Sequence, residues 1–197
     1  MPLGANKAAI MGVAGVSTGD VVLLASETAS NSATITFTAK MSATYGEYVW
    51  RFYNINPATD GAEFQFQVNA TDGADFNDSA ITSSYFRAYN YESSGSGGAL
   101  GYQTSHDLAQ STSFQNLAYD VGNGTDESAV GELHLFNPAG TTYAKMFTAR
   151  LNGYGDSDLS YDYYPAGYIN DTTAIDDIQF KMSAGNFDGI IKMWGIK

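Results

Sequence analysis

The sequence predicts an all-β fold: an antiparallel β-sandwich of jelly-roll type that follows an extended N-terminal arm. Three observations point there. Short segments alternate apolar and polar residues with a period of two. Clusters of Gly, Asn, Asp, Pro and Ser separate these segments at the places where a chain must turn. No stretch carries a convincing amphipathic helical period, and the pattern resolves into about nine or ten short strands. We divide the chain into an anchoring arm, residues 1–19, and one β-domain, residues 20–197. A chain of 197 residues is long enough for one domain with a substantial core.

Taken in order, Val21 to Leu24 reads as a short apolar strand. Ala33 to Ala39 alternates, with Ala33, Ile35, Phe37 and Ala39 inward and threonines on the wet face. Tyr48 to Ile55 (YVWRFYNI) is aromatic and β-branched throughout, which predicts a central strand covered on both faces. Asn56 to Gly61 is a turn cluster, and Glu63 to Asn69 alternates again with Phe64, Phe66 and Val68 inward. Ser84 to Tyr91 is the next strand, followed by the Gly/Ser loop Ser93 to Gly98. Residues 99–130 give a weak pattern with one short strand near Phe114 to Tyr119. Gly131 to Phe136 places Leu133 and Leu135 inward; Thr142 to Leu151 and the tyrosine-rich Tyr161 to Ile169 follow. The chain closes on IDDIQFKMSAGNFDGIIKMWGIK, Ile175 to Lys197. Two alternating runs flank turn residues there, which predicts an antiparallel hairpin completing a sheet.

Composition narrows the function. Charged residues make up 15%, against about 25% in typical domains. Net charge is −12, and the nine Lys and Arg are scattered singly along the chain. A nucleic-acid binder needs a basic footprint, so neither nucleic acid nor an anionic membrane is an expected partner. The absence of cysteine excludes disulfide frameworks and thiol catalysis. No run approaches the ~18–20 apolar residues of a membrane span. The N-terminal MPLGANKAAIMGVAGV is short in apolar length and rich in Gly and Ala, unlike a signal peptide. It reads instead as an arm held by a partner, with Leu3, Ile10, Met11, Val13 and Val16 supplying buried area.

Three residue sets invite chemistry. His106 and His134 are the only histidines, no G-x-S-x-G surrounds a serine, and both read as ordinary surface histidines. Asp residues cluster at 72, 75 and 78, at 156, 158 and 162, and at 171, 176 and 177. None matches an EF-hand. Asp156 and Asp158 are the best candidates for loop oxygens on calcium, with a solvated turn as the plainer reading. Tyr161, Tyr163, Tyr164 and Tyr168, with Tyr85, Tyr89 and Tyr91, offer a stacking platform for sugar rings or for a subunit contact. Partly buried sandwich tyrosines are the structural alternative.

Three segments carry a family resemblance: YVWRFYNINPATDGAEFQFQV (Tyr48 to Val68), GELHLFNP (Gly131 to Pro138) and the closing 23 residues. The matching residues are Asn54, Pro57, Thr59, Asp60 and Gly61, then Gly131 and Glu132. At the end they are Ile178, Phe180, Ser183, Gly185, Asn186, Gly189, Ile191, Gly195 and Ile196. Together they resemble a jelly-roll-like module of tailed-bacteriophage virion proteins, found in tail fibres and other exterior components. MPLGANKAA is similar to the start of such exterior proteins. The resemblance implies a non-enzymatic structural protein on the virion exterior, assembled in the host cytoplasm. It would contact other virion proteins and form a homo-oligomer such as a trimer. It transfers no catalytic residue and separates neither tail fibre from head decoration. A glycan-binding module for host recognition is the alternative. A polysaccharide-degrading enzyme, which needs two placed carboxylates, comes third.

Overall fold

The computed structural model describes residues 20–70 and 75–197. The arm residues Leu3, Ile10, Met11, Val13 and Val16, and Asp72, lie outside them. Twelve strands follow in order: β1 Val21–Ser32, β2 Thr34–Phe37, β3 Glu47–Pro57, β4 Ala62–Ala70, β5 Ile81–Tyr91 and β6 Gly98–Tyr102. Then come β7 Gln115–Val121, β8 Ala129–Phe136, β9 Lys145–Gly155, β10 Leu159–Ile169, β11 Ile175–Met182 and β12 Phe187–Ile196. Every ladder is antiparallel, and the described residues contain no helix.

The larger layer runs β1-β12-β3-β8-β9-β10-β5-β6 and the smaller runs β2-β11-β4-β7. One bridge, Val121 to Gly155, joins β7 to β9. Without the β5–β6 and β9–β10 excursions, β1-β12-β3-β8 faces β2-β11-β4-β7. That is the nested order of an eight-stranded double-sheet jelly roll. The excursions extend only the larger layer, giving it a broad outer face.

Aromatic side chains fill the space between layers. Phe180 on β11 lies 5.3 Å from Phe52 and 6.2 Å from Trp50 across the gap, and 5.9 Å from Phe64 beside it. Phe66 meets Phe147 edge-on at 5.2 Å. Edge-to-face and offset pairs are the favourable ring geometries, because each positive ring edge meets a negative face. Phe64, Phe66 and Val68 are fully buried, as their parity predicts, and so are Leu133, Ile178 and Phe180.

The structure corrects four expectations. The closing runs form no hairpin ladder: β11 pairs with β2 and β4, whereas β12 pairs with β1 and β3. The connection crosses from one layer to the other, with Gly185 (φ +71) packed where a Cβ would sit 2.5 Å from the Thr59 hydroxyl. Two alternating runs beside a turn look alike whether they pair with each other or with distant strands. Second, β3 is not covered on both faces. Tyr48, Trp50 and Phe52 point inward, while Arg51 and Tyr53 are exposed. Third, β2 is shorter than its pattern, and Ala33 and Ala39 are exposed at its flanks. Ala39 has φ +51 and donates its N–H to Asp177, which ends the strand. Fourth, residues 99–130 hold β7, most of β6 and the start of β8.

Candidate functional site

The outer face of the larger layer carries a groove of about 540 Å³ over β3, β8 and β9. Strand alternation sets its lining. Arg51 and Tyr53 come from β3, Val130 and Glu132 from β8, Arg150 and Asn152 from β9, and Asp162 from β10. Phe52, Gly131 and Leu151, whose parity is inward, contribute the floor. Gly131 (φ +153) is required there: a Cβ would lie 2.3 Å from the Arg150 carbonyl oxygen and 2.6 Å from the Leu151 Cα. Its absence lets β8 approach β9.

Register turns singly scattered charges into a row. Lys192 stands opposite Arg51, Arg51 opposite Glu132, and Glu132 opposite Arg150. Arg150 donates from Nε and Nη2 to the two Asp162 oxygens at 3.1 and 2.8 Å. This two-pronged bond holds the Asp162 carboxyl below the usual carboxylate range, helped by the Tyr164 hydroxyl that donates to it at 2.5 Å. Arg150 also covers the Tyr164 ring at 5.3 Å, and Phe86 stacks on Tyr164 at 4.8 Å. Arg51 has a looser contact, Nε to Glu132 at 3.4 Å. The second Glu132 oxygen is 3.3 Å from His134 Nε2, and His134 Nδ1 is 2.5 Å from Glu47.

The four platform tyrosines do not form one surface. Tyr161 and Tyr163 are core residues, 4% and 0% exposed, with rings stacked at 5.3 Å. The Tyr163 hydroxyl donates to the Tyr119 carbonyl, and burial raises its pKa. Tyr164 and Tyr168 have the opposite parity and lie on the outer face, Tyr168 beside Gln110. Consecutive tyrosines on a strand must divide in this way.

Asp156 and Asp158 lie in the β9–β10 turn. Asp156 accepts from the Ser157 hydroxyl at 3.1 Å. Asp158 has φ +55, and its carbonyl accepts from the Glu92 N–H at 2.9 Å. The Ser157 bond is local to the turn, whereas the Glu92 bond ties the turn to the end of β5. Among the described residues, no group of three or more His, Asp or Glu side chains is placed to share a metal ion.

A second cluster lies inside, between β5, β7 and β10. The Arg87 guanidinium is 4.8, 4.9 and 4.9 Å from the ring centres of Tyr89, Tyr119 and Tyr161, and 4.0 Å from Asp120. Its Nε and Nη1 are buried without a hydrogen-bond acceptor, so ring faces take that place. Burial, with Asp156 adding repulsion, pushes the Asp120 carboxyl up despite Arg87. The parity of Tyr85, Arg87 and Tyr89 was the sequence signal for this cluster. The outer charge row had none, because Lys192, Arg51, Glu132 and Arg150 meet only through strand order.

His106 stacks on Tyr119 with ring centres 3.8 Å apart, and its Nδ1 is 2.8 Å from the Asn116 amide. It is therefore a packing residue, whereas His134 faces outward as its parity predicts. Burial lowers the His106 pKa, and Glu63 at 3.6 Å offsets only part of this. The folded state thus binds a proton less readily than the unfolded chain. The stability contributed by neutral His106 is full above about pH 6.5 and is lost as pH falls through that value toward the folded-state pKa. Thermal melts at about pH 7.5 and about pH 5.5 should show a larger drop for the native chain than for His106→Phe, which keeps the stacking without the proton. Equal drops would remove His106 as the cause.

No protein-family model matches this chain, and neither does any curated protein.

Proposed function

We propose that the chain is a non-enzymatic structural subunit on the exterior of a tailed-phage particle, a tail-fibre-associated or head-decoration protein. Residues 1–19 fix it to other virion proteins, and copies associate with one another. One observation supports this reading above the rest. Val21 and Leu23, the first residues of the sheet after the arm, are 57% and 46% exposed. Register sets them beside Ile196 and Trp194. Scattered apolar residues are normal on a surface, but a contiguous group marks an interaction site. This group sits where the apolar arm segment joins the fold. The jelly-roll order is compatible, since this architecture serves viral coats and lectins, although fold alone assigns no role.

Deleting residues 1–18 tests the reading. We expect a folded, soluble domain that is no longer incorporated into particles. Particles that still carry the truncated chain would overturn the anchoring role. Sedimentation of the full chain reads its self-association.

The glycan-binding reading keeps one specific support, the open groove of about 540 Å³ with Arg, Asp, Asn and Tyr side chains on its walls. The degrading-enzyme reading has less. Asp162 is held ionised by Arg150, which suits neither a general acid nor a shared proton.

A further inference from the structure

We propose that the groove over β3, β8 and β9 binds a carboxylated saccharide, a uronic-acid-type unit whose carboxylate is held at the groove's edge by Arg51 of the lining and by Lys192, its cross-strand neighbour on β12. This goes beyond the assembly role and does not depend on it.

The first argument is electrostatic. Lys192 and Arg51 occupy directly opposed positions on β12 and β3. Like charges opposed across strands are unfavourable. The chain holds 21 acidic residues against nine Lys and Arg, so acids were plentiful to separate them. Neither cation is fully matched within the protein. Among the described residues Lys192 has no ion pair, and its Nζ rests 5.4 Å above the Tyr53 ring. Arg51 has the single Nε contact to Glu132, and its side chain is 54% exposed. Arg150, by contrast, is already committed to Asp162 through two bonds. An external anion between Arg51 and Lys192 relieves the repulsion and meets the guanidinium fork.

The second argument concerns what else lines the groove. Glu132 and Asp162 are acceptors on its walls. Asn152 spends its amide N–H on the Tyr161 carbonyl at 2.5 Å, which leaves its oxygen as a further acceptor. Those acids repel a phosphate or a polyanion, but they accept from hydroxyl groups. A ligand with one carboxylate and several hydroxyls matches both halves of the wall. Tyr53, 39% exposed, and Val130, 41% exposed, offer apolar surface to the C–H face of a sugar ring. The volume suits a ligand of one or a few rings.

The test is titration calorimetry at low salt with a monouronate probe, maltotriose oxidised at a single C6 to one carboxylate, and with maltotriose and inorganic phosphate as comparisons. The monouronate is expected to bind, with affinity reduced about tenfold in Arg51→Gln and in Lys192→Gln. Lys40→Gln removes one positive charge at an exposed site outside the groove lining, and is expected to leave binding unchanged. Maltotriose and phosphate are expected to bind at least tenfold more weakly. Arg51 is exposed in the groove and Lys192 is half-buried on the outer face beside it, and thermal melts verify that the variants are folded. Four outcomes would each overturn the proposal: no binding of the monouronate, equal losses in the Lys40→Gln protein, equal affinity for maltotriose, or equal affinity for phosphate.

Discussion

Replacing Phe180 by alanine is expected to destabilise the protein by about 3–5 kcal/mol, read as a lower urea midpoint with little change in slope. Phe180 is fully buried and touches rings of both layers: Phe37 and Phe64 on its own side, Trp50 and Phe52 on the other. Truncation removes the apolar transfer term and leaves a cavity that four rings fixed on three paired strands cannot all move to fill. Phe86→Ala is the comparison. Phe86 is 41% exposed and stacks on one ring, so its loss should stay near 1 kcal/mol. Similar midpoints for the two variants would mean that Phe180 does not join the layers.

Gly131→Ala should have the next largest effect, a loss of about 2–4 kcal/mol. Two penalties act together. The residue holds φ +153, which L side chains avoid, and a Cβ would lie 2.3 Å from a backbone oxygen of β9. A flexible side chain could rotate away from such a contact; a paired backbone carbonyl has no such freedom. Relief therefore requires β8 and β9 to separate at the groove floor. Amide hydrogen exchange should show this as faster exchange along β8 and β9, with β11 unaffected. Gly46→Ala serves as the reference, since a Cβ there meets nothing within 4 Å. A Gly131→Ala protein as stable as the Gly46→Ala protein would refute the steric account.

Much of the strand content was legible because burial on one face writes a period of two into the chain. Phe64, Phe66 and Val68 on β4, Leu133 and Leu135 on β8, and Ile178, Phe180 and Met182 on β11 all declared their inner face. β6 did not, because Gly98, Ala99 and Leu100 are all exposed and no burial pattern exists to read. The platform of tyrosines failed for a related reason. Residue type suggested stacking, but parity assigns Tyr161 and Tyr163 to the core and Tyr164 and Tyr168 to solvent. Asp156 and Asp158, read as calcium candidates or turn residues, lie in the β9–β10 turn, where Ser157 bonds Asp156 locally and Glu92 reaches the Asp158 carbonyl from the end of β5.

What the sequence determined by itself is local: where strands lie, which side chains of each face the core, and where the chain turns. These follow from backbone sterics and from the hydrophobic effect acting on nearest neighbours. Which strands pair was decided only by the tertiary structure. β11 and β12 are adjacent in sequence yet sit in different layers, each paired on both edges with strands from elsewhere in the chain. The candidate site is of this second kind. Lys192, Arg51, Glu132 and Arg150 are far apart along the chain, and only strand order and register set them side by side. Register is fixed by the burial of the opposite face, so the site on the outer surface is positioned by the core beneath it.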